Sequence, residues 1–145
     1  MDIIIGADHG GFDLKEACRT HLEGIASIEA VRDVGVFGPA SSNYPDIAHQ
    51  VARAVAQALY GQGILICGTG IGMSLVANRY KGVRACLCHN LFTARLSRQH
   101  NDANILVMGG RVIGPGLALE MVDIFLTTPF DGGRHEQRIN QIDGR

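Results

Sequence analysis

Residues 63–72, Gly63-Ile-Leu-Ile-Cys-Gly-Thr-Gly-Ile-Gly72, confine this chain to few folds. The apolar run ending in Cys67 shows no alternation with polar residues, the mark of a strand buried on both faces. Gly68, Gly70 and Gly72 then alternate with Thr69 and Ile71, and a helical pattern follows from Met73 to Tyr80. The segment reads as a buried strand, a tight glycine loop and a helix N-terminus. Such a terminus presents unpaired N–H groups and the positive end of the helix dipole, so an anion or a developing oxyanion can bind there.

The rest of the chain repeats the strand–helix alternation. Strands are expected at Asp2–Ala7, Ala30–Val36, Gly63–Cys67, Val83–Cys88 and Ile105–Met108. Helices are expected at Phe12–Leu22, from Pro45 to about Leu59, Met73–Tyr80, Leu91–Arg98, Pro115–Leu126 and Arg134–Ile142. Strands alternating with helices imply an α/β fold, a parallel sheet with helices on both faces. A chain of 145 residues suits a single domain over 1–145, closed by the helix at about 134–142. Ligands of such sheets bind beyond the carboxyl ends of the strands, near a switch in strand order.

Polar residues gather at those ends. The first strand runs into Asp8-His9-Gly10-Gly11, the third into Cys67-Gly68-Thr69, and the fifth is bracketed by His100-Asn101 and Arg111. Arg134 and Arg138 share a helix face one turn apart and suit a phosphate. A thiolate at Cys67 can serve as base or nucleophile. Each residue also has a plain structural reading. Cys67 can be a small apolar core residue, Asp8 or His9 a helix cap, His100 part of a surface turn, and the two arginines a solvated face. Tyr44, before Pro45, reads as a packing residue.

Several classes fall away. The loop lacks the Gly-Lys-Ser/Thr ending of a P-loop, and position 73 is methionine where the dinucleotide fingerprint needs its third glycine. A net charge of −1, without a basic cluster, gives no electrostatic case for nucleic acid. No apolar run reaches the length of a membrane span, and no signal peptide is evident after Met1-Asp2. Cys18, Cys67, Cys86 and Cys88 form no C-x-x-C pair, so reduced thiols in a cytoplasm are expected.

Asp8-His9-Gly-Gly-Phe12, Cys67-Gly-Thr-Gly-Ile-Gly72, Leu96-Ser-Arg-Gln-His100-Asn101-Asp-Ala-Asn104 and Gly133-Arg134-His135-x-x-Arg138 together resemble the type B ribose-5-phosphate isomerase family, which also includes galactose-6-phosphate isomerase subunits. The resemblance runs from about residue 3 to about 142. It implies a Rossmann-like three-layer α/β/α sandwich on a five-stranded parallel sheet, no metal or organic cofactor, and a homodimer or dimer of dimers with the site at the subunit interface. It assigns Cys67 as the base that moves a proton between C1 and C2. His100 becomes the acid that helps open the furanose ring, with Asp8 assisting, and Thr69 the hydroxyl near O1 and O2. Gly68, Gly70, Ile71 and Gly72 belong to the loop holding the enediolate oxygens. His9, Arg134 and Arg138 fall to the phosphate, and Asn101 and Arg111 to further substrate contacts. In the family the His100-Asn101 segment comes from the partner subunit. A branch without the cysteine carries a glutamate base after the loop; Met73 here cannot accept a proton, so the chain resembles the cysteine-base branch.

The substrate expected is ribose 5-phosphate, exchanged with ribulose 5-phosphate. A four- or six-carbon sugar phosphate is the near alternative, with Gly38–Tyr44 and the surroundings of Ser74 and Asn101 as possible determinants of length. A non-catalytic nucleotide- or phosphate-binding module, with Asp33 at a distance suited to a ribose, and a thiol redox protein built on Cys67 are the competitors from other classes.

Overall fold

In the computed structural model, which describes residues 1–144, the fully apolar run becomes the middle strand. In chain order the elements are β1 (Asp2–Ala7), α1 (Phe12–Glu23), β2 (Ala30–Asp33), α2 (Tyr44–Ala56), β3 (Gln62–Cys67), α3 (Ile71–Ala77), β4 (Ala85–Leu87), α4 (Leu91–Asn101), β5 (Ile105–Gly109), α5 (Pro115–Thr127) and α6 (Arg134–Ile142). A 3-10 turn, His9–Gly11, joins β1 to α1. All five strands are parallel, in the order β2-β1-β3-β5-β4. The chain winds from β1 to one edge and then crosses back to β3, so the order reverses between β1 and β3.

Period-2 alternation divides the apolar residues between two cores. Ile3, Ile5, Ile64, Ile66, Leu106 and Met108 face α1, α4 and α5, where Leu14, Leu22, Met121 and Phe125 are buried. Ile4, Leu65, Cys67 and Val107 face α2 and α3, where Ile47, Val51 and Met73 are buried. The sheet is thus sandwiched between two helical layers, as expected.

Several boundaries differ from the sequence reading. β2 ends at Asp33 rather than Val36, because Gly35 takes φ +97° and turns the chain, although Val34 and Val36 still donate to the Ile5 and Ala7 carbonyls at 3.0 and 2.7 Å. α2 stops at Ala56 rather than Leu59, since Ala58 sits in the left-handed region and caps it. α3 starts at Ile71, directly from the left-handed Gly70, and ends at Ala77. β4 is trimmed to Ala85–Leu87, because the Arg84 N–H donates to the Asn104 side chain (2.8 Å). α4 runs on to Asn101, closed by a left-handed Asp102, so His100 lies in a helical turn and not in a surface loop.

Candidate active site

Three segments meet at the carboxyl ends of β1, β3 and β5, beside the strand-order reversal. Register sets them: Ala7 pairs with Ile66, and Cys67 with Gly109. Beyond the strands the segments stay in contact, with Gly110 N–H donating to the Cys67 carbonyl (2.7 Å) and Arg111 N–H to the Gly68 carbonyl (3.0 Å). The backbones approach so closely that a Cβ on Gly110 would lie 2.6 Å from the Gly10 carbonyl oxygen. Only glycine permits that approach.

The Cys67 side chain is 5% exposed, and its sulfur accepts the Gly70 N–H at 3.1 Å. Gly70 reaches that position at φ +79°, the left-handed region. Thr69 is exposed, and its Oγ1 accepts the Ile71 N–H (3.3 Å), which leaves its hydroxyl proton free to donate outward. The Arg111 guanidinium lies over Gly68, with Nη1 3.5 Å from where a Cβ would stand. The Tyr44 ring covers Gly72.

Asp8 is buried, and its Oδ1 accepts from the Gly10 and Gly11 N–H groups (2.9 and 3.2 Å). It therefore caps the turn, as its plain structural reading held, while standing next to Cys67 in register. His9 and Ser42 hold each other: His9 N–H donates to Ser42 Oγ, and Ser42 N–H donates to His9 Nδ1, both at 3.2 Å. An Nδ1 that accepts leaves the neutral ring with its proton on Nε2.

The remaining candidates form a second group elsewhere. α4 runs back from the carboxyl end of β4, so His100 and Asn101, in its last turn, lie where β5 begins. β5 spans Ile105–Gly109, about 13 Å at the usual strand rise. His100 stacks on His135 of α6, ring centroids 4.2 Å apart and planes 11° from parallel. Arg134 and Arg138 flank His135 on the exposed side of α6. Within one chain, His9 and the two arginines therefore sit at opposite ends of the sheet and not at one end. A cleft of about 580 Å³ opens beside Asn101, between Arg79, Arg84, Cys86 and Ile142, and is likewise remote from Cys67.

His100, Asp131 and His135 bring potential ligand atoms within 4.8 Å of one another. Two parallel stacked rings share no in-plane point, however, so one ion cannot take a lone pair from both without breaking the stack. Desolvation first, then the neighbouring His100, Arg134 and Arg138, push the His135 pKa down and favour its neutral form, while Asp131 pulls the other way.

His135 entered the sequence reading only within the Gly133–Arg138 motif and Ser42 only within the Gly38–Tyr44 loop, neither with a role of its own. His135 had a signal: it is spaced i, i+4 with Ile139, and both are buried on the inner face of α6. Ser42 had none, lying in an irregular segment far from His9 along the chain.

Two alternatives lose their residues. Asp33 is committed to an ion pair with Lys15 and to the Gly35 N–H (2.8 Å), so it does not await a ribose. Cys88 and Cys86 pack into the core on the opposite face of the sheet from Cys67, so neither can resolve an oxidised Cys67. Burial raises the pKa of Cys86 to about 11 and of Cys18 to about 12.

The family described as Ribose/Galactose Isomerase matches residues 3–142. Ribose-5-phosphate isomerase B of Escherichia coli is 46% identical over 140 residues, covering 97% of this chain and 93% of that protein. D-erythrulose-4-phosphate isomerase of Pectobacterium atrosepticum is 38% identical over 146 residues, covering 98% and 93%. Among solved structures, a ribose 5-phosphate isomerase of Thermotoga maritima superposes with a TM-score of 0.94 at 51% identity, covering 99% of this chain and 98% of that one. Ribose-5-phosphate isomerase B of Mycoplasma genitalium, solved with bound ribulose-5-phosphate, gives 0.93 at 40%, covering 99% and 94%.

Proposed function

The chain belongs to the ribose/galactose isomerase family, and from that footing we propose that it interconverts ribose 5-phosphate and ribulose 5-phosphate through a cis-enediolate. It is a sugar-phosphate isomerase; the choice of pentose and the roles of its residues are the proposal. The observation that carries it is Cys67, a thiol at the strand-order reversal, fixed by the Gly70 N–H and followed by a buried Met73 that offers no other base.

The chemistry divides among the groups. His100, helped by Asp8, passes the proton that opens the furanose ring. Cys67 takes the proton from C2 of the aldose and returns it to C1. Between removal and return the negative charge lies on O1 and O2, where the N–H groups of the Gly68–Gly72 loop and the Thr69 hydroxyl stabilise it while the hydroxyl proton passes from O2 to O1. Arg134, Arg138 and the Nε2–H of His9 hold the phosphate, and Asn101 and Arg111 orient the sugar.

No single chain brings these groups together. A working site needs a second copy whose His100, Asn101, Arg134 and Arg138 reach the Asp8, His9 and Cys67 of the first. In this proposal the protein works as a homodimer or a dimer of dimers, which the placement of the two groups at opposite ends of one chain supports. Four free thiols suit the reducing cytoplasm, and no helix among the described residues is long and apolar enough to cross a membrane.

A panel of four-, five- and six-carbon aldose phosphates, followed by detection of the ketose, tests the assignment. Highest kcat/KM on ribose 5-phosphate is expected. Preference for a four-carbon substrate would place the protein with the erythrulose phosphate isomerase instead, and turnover of none would end the proposal.

A further inference from the structure

A lysine side chain that is wholly excluded from solvent is rare, because an unpaired buried ammonium is costly. Lys15 is such a residue, at 0% exposure. It lies on α1 beside the apolar positions Leu14, Cys18 and Leu22, where another hydrophobic side chain would pack without that cost. Its Nζ is paired with Asp33 and with Glu16 Oε1 (2.6 Å), and the rings of Phe12 and Phe37 stand 5.6 and 5.5 Å away. Packing alone does not account for the charge.

Its partner shows where the charge acts. Asp33 is the last residue of β2, and its other oxygen accepts the Gly35 N–H. The pair grips the chain where it leaves the sheet. The segment then runs without regular structure to Asn43. At its far end Ser42 locks His9, and Tyr44 covers Gly72 of the catalytic loop. At one end the segment is bonded to β1 through Val34, Gly35 and Val36 and tied to α1 through Asp33, and at the other it meets the candidate site.

We propose that Lys15, through Asp33, is a positioning residue that holds the 34–43 segment so that Ser42 fixes His9 as an Nε2–H donor for the phosphate end of the substrate. The inference rests on the isomerase reading for its consequence, since His9 meets phosphate only there. Its structural half does not. With the anchor gone, Ser42 no longer stays over Nδ1, and the His9 proton is free to exchange between the two ring nitrogens. Cys67 and its loop remain in place, so substrate binding weakens while the proton transfer does not.

The test uses the full chain, with 15N shifts of the His9 ring nitrogens measured beside steady-state kinetics on ribose 5-phosphate. Wild-type His9 should show the Nε2–H tautomer. Lys15→Met should show averaged shifts, with KM raised about tenfold, the factor expected from one weakened charge-assisted bond, and kcat within about twofold. A folded Lys15→Met that keeps the wild-type tautomer overturns the proposal. So does one in which kcat falls while KM holds. Should Lys15→Met fail to fold, the double variant Lys15→Met/Asp33→Asn removes the ionic anchor without leaving either charge buried alone and is read by the same shifts. If ribose 5-phosphate is not turned over at all, the isomerase reading fails, and the His9 shifts still decide the positioning role.

Discussion

The Gly70 N–H lies 3.1 Å from the Cys67 sulfur, so the loop that would hold the enediolate also holds the base. The bond depends on Gly70 keeping φ +79°, with space for no side chain: a Cβ would stand 2.4 Å from Leu87 Cδ1 and 3.0 Å from the Met108 carbonyl oxygen. Gly70→Ala should therefore fold with a stability loss of about 1–2 kcal/mol from the left-handed backbone alone. The clash would also move the N–H off the sulfur. A kcat at least tenfold lower with little change in KM is expected, read from kinetics beside urea unfolding. An unchanged kcat would separate the loop from the base.

Cys67→Ala should fold, since the residue packs as a small apolar side chain against α2 and α3. Loss of a general base typically costs about two to four decades in rate. Cys67→Ser should fare no better, because a hydroxyl ionises far less readily than a thiol. A tenth of wild-type turnover in either variant would show that the base lies elsewhere, and Met73 cannot supply it.

The sheet was legible because β1, β3 and β5 are apolar on both faces, and the glycines after them mark where strands stop. Helix ends were less so. Ala58 and Asp102 close α2 and α4 in left-handed conformations without being glycine. The candidate site is legible as residue types, since Asp8 and His9 follow β1 directly and Cys67 ends β3. Its arrangement is not. That His9 lies at the opposite end of the sheet from Arg134 and Arg138 follows from the strand order and the length of α4, which no local pattern states. The His9–Ser42 bonds and the His100–His135 stack join distant parts of the chain and leave no periodic trace.

Stability should fall on the alkaline side through the buried thiols. Desolvation raises Cys18 from 9.0 to about 12 and Cys86 from 9.0 to about 11, and Cys88 moves the same way. Above pH 9 the unfolded chain releases these protons while the folded chain keeps them, so the folded state binds more protons and stability drops as pH rises. Each thiol contributes a slope of up to about 1.4 kcal/mol per pH unit until its folded value is reached. Cys18→Ala should be less stable at neutral pH yet show a shallower fall between pH 9 and 11, measured by urea unfolding across that range. Parallel curves for the two proteins would refute the linkage.

His100 should matter for ring opening more than for enediolate formation. It sits in the last turn of α4, its ring stacked on that of His135 with centroids 4.2 Å apart. His100→Asn keeps the helix and removes the proton carrier. It should be slow on ribose 5-phosphate, which is mostly cyclic, yet retain activity on an aldose phosphate too short to close a furanose. Equal losses on both substrates would mean that His100 serves the common step.

The division of the candidate residues between two ends of one chain makes the dimer testable through its active sites. Cys67→Ala leaves the His100 end intact, and His100→Ala leaves the Cys67 end intact. Each homodimer should be nearly inactive, because every site in it lacks one group. In a mixed dimer, one site combines both mutations, while the other draws an intact Cys67 from one chain and an intact His100 from the other. Mixing under subunit exchange should therefore restore activity, approaching a quarter of the wild-type rate for equal amounts, since about half of the dimers are mixed and each carries one working site of two. Native mass spectrometry reports the extent of exchange. Full exchange without recovery would show that each site is built within a single chain, and would require His100 to reach Cys67 across the length of the sheet.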